Sequence, residues 1–456
     1  MYDVAIIGGG PGGYAAALYA HNFGLKVALV EKERVGGTCL IRGCIPAKTW
    51  LQSAHVFSLV KKAAEFGVNT SEPTMDWQAA LARKTKVVDG LVNGLSGLLK
   101  ARKVDVLNGY GALKDGGVEV TGEGLDSSFI EASNVIVATG SVPRSIPGYE
   151  IDGHRIVSSD HALDWEQQPG RVAIIGGGVI GCEFASLLGD FGSEVHIFEA
   201  LDQLLPGMDP DTVKSLDRSL RKKKVKTNVS TMVGPPEFTD SGVVINYGDK
   251  SVEVDVVLMA VGRGPVTDNI GLENTNAVVD RGFIEVDLNT MQTAEPHLYA
   301  VGDIVAGTPQ LAHAGFAEGI AAITHIATGT VAPVDYRAIP LVVYTDPEVA
   351  QVGLTEAQAA EQGLSVEVTT HGMRGVGRAI IQGEVGGTVK VVAETDGPIV
   401  GASVAGPAAG EMIHELMYSV AWEALPAEAA AYIHAHPTIS EAIGETLLSA
   451  SGRSLH

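Results

Sequence analysis

Tyr2-Asp3-Val4-Ala5-Ile6-Ile7-Gly8-Gly9-Gly10-Pro11-Gly12-Gly13 is an apolar run that opens onto a glycine cluster. The run reads as a buried strand, and the Ala-rich stretch from there to Phe23 reads as a helix. A second strand, Lys26 to Val30, ends at Glu31. The same phrase returns much later. Arg171-Val172-Ala173-Ile174-Ile175 precedes Gly176-Gly177-Gly178-Val179-Ile180-Gly181, then a helical run to Phe191 and a strand from Glu194 to Phe198 that ends at Glu199. In both copies the acid follows the third motif glycine by 18 residues. One G-x-G-x-x-G is weak evidence, but two copies in matched strand–turn–helix–strand context predict two dinucleotide sites. The glycines permit a tight turn and close approach of a pyrophosphate to the helix N-terminus; the acid accepts hydrogen bonds from ribose hydroxyls.

The second acid also selects the nicotinamide. Between Glu199 and Lys214 there is no basic residue, while Asp202 and Asp209 are present. A 2′-phosphate would meet a negative field there, so NAD is expected rather than NADP.

Working outward, Asn134 to Gly140 and Leu298 to Asp303 are apolar strands that end in small residues and return to the first nucleotide unit. Val256 to Gly262, followed by Arg263, has the same form in the second. Pro143 and Pro147 mark one crossover, Pro333 and Pro340 another. Beyond it, residues 341–405 alternate like strands, and 410–450 read as helical apart from a turn near Pro437. A third, α+β domain is expected.

The 456 residues carry 32 Lys and Arg against 54 Asp and Glu, a net charge of −22. That balance argues against nucleic acid, so a phosphate-bearing ligand must be held by backbone N–H groups and helix N-termini. The one strong basic run, Arg221-Lys222-Lys223-Lys224-Val225-Lys226, follows an acidic helix start (Asp209, Asp211) and a Val213, Leu216, Leu220 stripe. It is expected to be a solvated helix C-terminus that complements the dipole. Neither a targeting segment nor an apolar run of about 18 residues is visible, so no membrane span is expected. Three cysteines make no disulfide framework, and a cytoplasmic location fits.

Cys39 and Cys44 sit in Gly36-Gly37-Thr38-Cys39-Leu40-Ile41-Arg42-Gly43-Cys44-Ile45-Pro46-Ala47-Lys48, directly after the first nucleotide motif. Five residues of regular helix give about 7.5 Å of rise and opposed faces, too far for a bridge. Pairing therefore needs Cys39 before the helix proper, with Gly43 easing the chain and Pro46 near the first turn; the helix N-terminus would then stabilise a Cys44 thiolate. A redox disulfide is favoured over separate buried thiols, half a metal site or a structural bridge. No second cysteine pair completes a zinc site, and Cys182, inside the second motif helix, reads as a small buried hydrophobe. Near the other end, His436 and Glu441 are five residues apart across Pro437. A carboxylate there can orient an imidazole and stabilise its cation, and a dithiol needs such a proton acceptor.

These segments resemble the pyridine nucleotide–disulfide oxidoreductases, in their lipoamide branch, over essentially the whole chain. The flavin-side glycine motif, Gly36-Gly37-Thr38-Cys39 to Lys48, Tyr299-Ala300-Val301-Gly302-Asp303 and His436-Pro437-Thr438-Ile439-Ser440-Glu441 carry the likeness. Gln310-Leu311-Ala312-His313 and Ala405-Gly406-Pro407 with Gly410-Glu411-Met412-Ile413 match as well. The resemblance implies an α/β fold of two Rossmann-like dinucleotide-binding domains plus a C-terminal α+β dimerisation domain. Its segments would be 1–148 for FAD, 149–269 for NAD, 270–332 as an FAD-side central segment and 333–456 for dimerisation.

The resemblance further implies FAD on Gly8, Gly10, Gly12 and Gly13, with Glu31 on its ribose and Asp303 near its ribityl–phosphate portion. Gly37, Thr38, Gly111, Thr139, Gly140 and Ala312 would complete that site. Lys48 would lie by the flavin N5, paired with Glu183. NAD would occupy Gly176, Gly178, Val179, Ile180 and Gly181, with Glu199 on the adenosine ribose and Val229 and Gly262 nearby. Cys39 would exchange with substrate, Cys44 would face the flavin, and His436 with Glu441 would act on the other subunit's cysteines in a homodimer. The implied activity is NAD-dependent oxidation of dihydrolipoamide or of dihydrolipoyl groups on acyltransferase or H-protein subunits. The alternatives are reduction of another low-molecular-weight disulfide and a structural docking subunit. Ile41-Arg42 stands where Asn-Val is more usual, Ala47 where Ser is, and Thr49-Trp50 where residues are small or aliphatic. Arg42 would favour a nearby thiolate.

Overall fold

The structure is a computed structural model that describes residues 1–122 and 125–455. His456, the last residue of the expected C-terminal domain, lies outside the described residues. Two compact units emerge, each assembled from three separated segments. The first comprises Met1–Thr49, Ala79–Arg144 and Arg263–Tyr336; the second comprises Trp50–Gln78, Ser145–Gly262 and the chain from Arg337. Among the described residues no helix is long and apolar enough to cross a membrane.

In the first unit, parallel strands Asp105–Asn108, Val27–Glu31, Tyr2–Ile7 and Leu125–Val137 lie in that order, with Leu298–Ala300 beside the last. Parallel strands covered on both faces read as continuous apolar runs, and Val4, Ala5, Ile6 and Ile136 are fully buried. The register sets Ile6 against Leu29 on one side and Ile136 on the other. The front of Leu125–Val137 turns antiparallel and pairs with Gly117–Gly122, which pairs with Tyr110–Lys114. Helix Pro11–Ala20 packs closely on helix Ala312–Thr328: a Cβ on Gly319 would fall 2.6 Å from the Gly12 carbonyl oxygen. One on Gly12 would fall 2.9 Å from Val301 Cγ2. Gly12 thus serves the packing of the motif helix.

In the second unit, parallel strands run Lys226–Asn228, Glu194–Phe198, Arg171–Ile175, Val256–Met259 and Ile156–Ser158. A separate antiparallel sheet orders Leu341–Val343, Glu348–Gly353, Ile399–Gly406, Thr388–Glu394 and Val366–Gly372. Helices Ala409–Ala421 and Glu441–Ala450 cover it around Val389, Val404, Ile413 and Ile443. Buried Lys390 ties this sheet to the start of helix Pro210–Lys222, bonding Asp209 at 2.7 Å and Asp211 at 2.5 Å.

Three expectations need correction. The basic run is not wholly solvated: Lys223 is largely buried, bonding Asp190 at 2.8 Å and Asp346 at 3.1 Å. It lies just past the helix end, where the chain turns inward to bury Val225. The stretch 341–405 also holds short helices, Glu356–Glu361 and Gly377–Gln382; six residues are too few for a helical period to show. Between Ala421 and Glu441 the only α-helical turn among the described residues is Pro426–Ala429.

Candidate active site

The two glycine motifs build matching cradles. Gly8 (φ +108°) and Gly176 (φ +105°) make the turns, and added Cβ atoms would strike the carbonyl oxygens of Ala138 and Ala260 at 2.2 and 2.3 Å. A Cβ on Gly13 or Gly181 would lie 1.9 or 2.0 Å from the carbonyl oxygen of its own motif's first glycine. The middle glycines differ. Gly178 has nothing within 4 Å of a Cβ, and Gly10 only the Gly37 Cα at 3.8 Å. Each is the N-cap of its helix with no side-chain cap, so both helices offer first-turn N–H groups to an anion beside open space. Val179 and Ile180 supply N–H groups in the second cradle. These surroundings fit a dinucleotide pyrophosphate at each motif.

The acids are placed alike. Glu31 Oε2 accepts the Gly9 N–H at 2.7 Å and Oε1 that of Glu33 at 2.9 Å. Glu199 Oε2 accepts the Gly177 N–H at 2.7 Å and Oε1 that of Leu201 at 2.8 Å. Each oxygen keeps a second lone pair for a ribose hydroxyl. Burial raises the Glu31 carboxyl above its ordinary range, with the Gly9 hydrogen bond opposing. Val229 follows strand Lys226–Asn228, and Gly262 (φ +101°) leaves open space after Val256–Met259.

Around the first cradle, Asp303 accepts the Ser141 hydroxyl, and Arg263 Nε donates to Ser141 Oγ at 2.8 Å. Arg263 Nη2 donates to the Ser141 carbonyl at 2.6 Å and to Thr38 Oγ1 at 3.3 Å. Ser141 was missed by sequence reasoning and Arg263 was noted only as following Gly262. Their partners lie more than 100 residues away, so no local pattern marks them. Thr139 donates its hydroxyl to the Val266 carbonyl, Gly140 (φ +72°) faces open space, and Ala312 starts a helix without a side-chain cap. Gly111 lies in strand Tyr110–Lys114, against Ile7.

Cys39 lies within a short helix of its own, Gly37–Arg42, and Cys44 opens the next, Cys44–Lys61. The break at Gly43 therefore separates two helices, where an irregular lead-in to one was expected. It permits the approach: a Cβ on Gly43 would stand 2.9 Å from the Thr38 carbonyl oxygen and 3.4 Å from the Cys39 Cα. Gly37 (φ +58°) seats the short helix on the first cradle, since a Cβ there would lie 2.5 Å from the Gly10 Cα. Both cysteines are free thiols, near enough to influence one another's ionisation. The Cys44 contact, then burial, push the Cys39 thiol well up, while the Lys48 charge one turn beyond Cys44 pulls it down. Tyr14 was also missed. Burial, then the two cysteines, push its phenol up to about 12. Arg42 is bonded to Glu33, so its charge is shared with a carboxylate rather than devoted to the thiols.

His436 Nδ1 lies 2.7 Å from Glu441 Oε1, and the imidazole is 78% exposed, which leaves Nε2 accessible. Glu441 opens helix Glu441–Ala450. The Thr438 N–H, then His436, hold its carboxyl below the usual range. Alongside, His434 Nε2 lies 2.7 Å from Glu415 Oε1. Glu183 is buried on helix Val179–Phe191 and accepts the Tyr344 N–H at 3.0 Å. Cys182 is fully buried, its thiol donating to the Gly177 carbonyl at 3.2 Å.

Comparison with known proteins shows the family. Residues 2–319 match the pyridine nucleotide–disulphide oxidoreductase model, and residues 339–447 match the dimerisation domain of that family. A dihydrolipoyl dehydrogenase of Bacillus subtilis is 40% identical over 100% of this chain and 99% of its own length. One of Haloferax volcanii is 37% identical over 100% and 97%. Among solved structures, LpdA of Mycobacterium tuberculosis superposes with a TM-score of 0.92 at 27% identity, over 98% of this chain and 99% of that one. The HOCl-induced flavoprotein disulfide reductase RclA of Escherichia coli gives 0.86 at 27% identity, over 98% and 99%. This is an enzyme with the α/β fold of a family that uses FAD and NAD: the chain belongs to the pyridine nucleotide–disulphide oxidoreductases.

Proposed function

We propose that the chain oxidises dihydrolipoyl groups with NAD⁺ as final acceptor, through a Cys39–Cys44 disulfide and FAD. The observation that carries this reading is the contact of the two cysteines across Gly43, with the Lys48 charge one turn on. His436, oriented by Glu441, takes the proton from a substrate thiol. The resulting thiolate attacks Cys39, and Cys44 leaves as a thiolate stabilised at its helix N-terminus. The second substrate thiol displaces Cys39, so the substrate leaves as a disulfide and both cysteines are reduced. FAD, held at the first cradle, would supply the two-electron chemistry that links this dithiol to NAD⁺. The working form is a homodimer in which His436 serves the other subunit's cysteines. The matched dimerisation domain and the exposed Trp422, Tyr432 and Ile433 support that form. Its partners are the lipoyl-bearing subunits of 2-oxoacid dehydrogenase or glycine cleavage complexes, in the cytoplasm.

Steady-state rates with lipoamide, glutathione disulfide and no acceptor test the reading. Turnover with lipoamide far above the other two is expected; preference for glutathione disulfide overturns it. Gly43→Ala is expected to lower lipoamide turnover on the order of 10-fold at unchanged FAD content, since a misplacement of 1 Å costs roughly 100-fold. The added Cβ pushes the Thr38 carbonyl and the Cys39 backbone away from Cys44. NADH is expected to exceed NADPH in kcat/KM, and Glu199→Ala with Asp202→Arg to erode that preference. Equal values in the unmodified chain would sink the electrostatic argument.

A further inference from the structure

Glu318 is fully buried on helix Ala312–Thr328. Its Oε2 accepts the Gly302 N–H at 2.6 Å and its Oε1 the Tyr336 hydroxyl at 3.0 Å. Burial pushes its carboxyl up, the Gly302 and Tyr336 donors pull it back, and nearby Asp303 raises it further. Tyr336 is raised by burial and by the Glu318 charge, which keeps it a neutral donor. A buried carboxylate is costly unless its oxygens are satisfied. Here two donors converge on it, one on each oxygen, beside an Ala-, Gly- and Ile-rich stretch where an apolar side chain would be ordinary.

Its main-chain partner explains its presence. Gly302 (φ +79°) turns the chain between strand Leu298–Ala300 and Asp303, and a Cβ there would meet nothing within 4 Å. Neighbouring atoms therefore do not crowd the turn into place. The hydrogen bond to Glu318 anchors the Gly302 peptide, and the next residue carries the carboxylate that accepts from Ser141. The same helix begins at Ala312, on the side of the first cradle, and packs its Gly319 on Gly12.

We propose that Glu318 is a positioning residue for FAD: by fixing the Gly302 peptide it aims Asp303 at the ribityl–phosphate portion of the cofactor. This rests on the placement of Asp303 in the FAD site. The test is titration of deflavinated protein with FAD, followed by flavin fluorescence, alongside the thermal midpoint of the apoprotein. Glu318→Leu removes the acceptors and is expected to weaken FAD binding by about 10–100-fold, the range for hydrogen bonds to charged groups. Glu318→Gln keeps an oxygen for the Gly302 N–H, while the Tyr336 hydroxyl can rotate to accept from the amide. It should stay within about 3-fold of the unmodified chain. Glu318→Leu with unchanged FAD affinity and a lowered apoprotein midpoint overturns the proposal, because a purely structural role behaves so. Should Glu318→Leu fail to fold, Tyr336→Phe decides: a several-fold loss of FAD affinity supports the role, and unchanged affinity overturns it. Asp303→Ala separates the two layers. Unchanged FAD affinity in that variant overturns the placement of Asp303 and the proposal with it. Weakened affinity there, with Glu318→Leu and Tyr336→Phe both unaffected, overturns the role of Glu318 alone.

Discussion

Cys39→Ser and Cys44→Ser are each expected to abolish lipoamide-linked turnover while leaving FAD bound. In the proposed reaction the dithiol is the route for electrons, and serine at either position cannot form the sulfur–sulfur bond that substrate must reduce. The proposed FAD cradle, by contrast, comprises Gly8, Gly10, Gly13, Glu31 and the Asp303–Ser141–Arg263 network, whose observed contacts involve neither sulfur. Flavin absorbance should therefore persist while activity vanishes. Retained turnover in either variant would show that the pair is structural. Loss of flavin from both would show that the cysteines support the fold around the first cradle, which the Gly37–Gly10 contact makes a meaningful alternative.

His436→Gln is expected to lower lipoamide turnover on the order of 10²–10⁴-fold, the usual cost of losing a general base. NADH-driven reduction of a one-electron dye needs no substrate thiolate and should change far less. Glu441→Gln should cost less than His436→Gln. Its carboxylate holds the imidazole at 2.7 Å through Nδ1 and stabilises the cation, but takes no proton itself. If the base acts on the partner subunit, mixing inactive Cys44→Ser and His436→Gln chains restores activity, because each heterodimer then holds one intact site. No recovery after verified subunit exchange would count against that arrangement; a normal rate for His436→Gln would remove the base assignment.

The sequence by itself determined the two nucleotide units. A buried parallel strand must be apolar throughout, and a turn that admits a pyrophosphate must be glycine. Tyr2–Ile7, Arg171–Ile175 and the motifs after them therefore state their structure locally. The acids Glu31 and Glu199 are legible for the same reason, each closing a strand at fixed spacing. Elements without a strong local signal were not legible. Helix Trp77–Ala101 carries Gly90, Gly94 and Gly97, which weaken its propensity, and strands Tyr110–Lys114 and Gly117–Gly122 are short and glycine-bounded.

Only the tertiary structure decided the groups whose partners lie outside their own secondary-structure element. Lys223, part of a run of cations that looked solvated, turns inward because Asp190 and Asp346 await it. Arg42, placed between the cysteines, spends its charge on Glu33. Arg263 reaches Thr38 across more than 200 residues, and Glu318 meets Gly302 and Tyr336 inside a core where a sequence pattern would accept any apolar side chain. The physical reason is common to all four. Periodicity and turn chemistry are properties of neighbours in sequence, whereas the pairing of a charge is a property of what folding brings beside it.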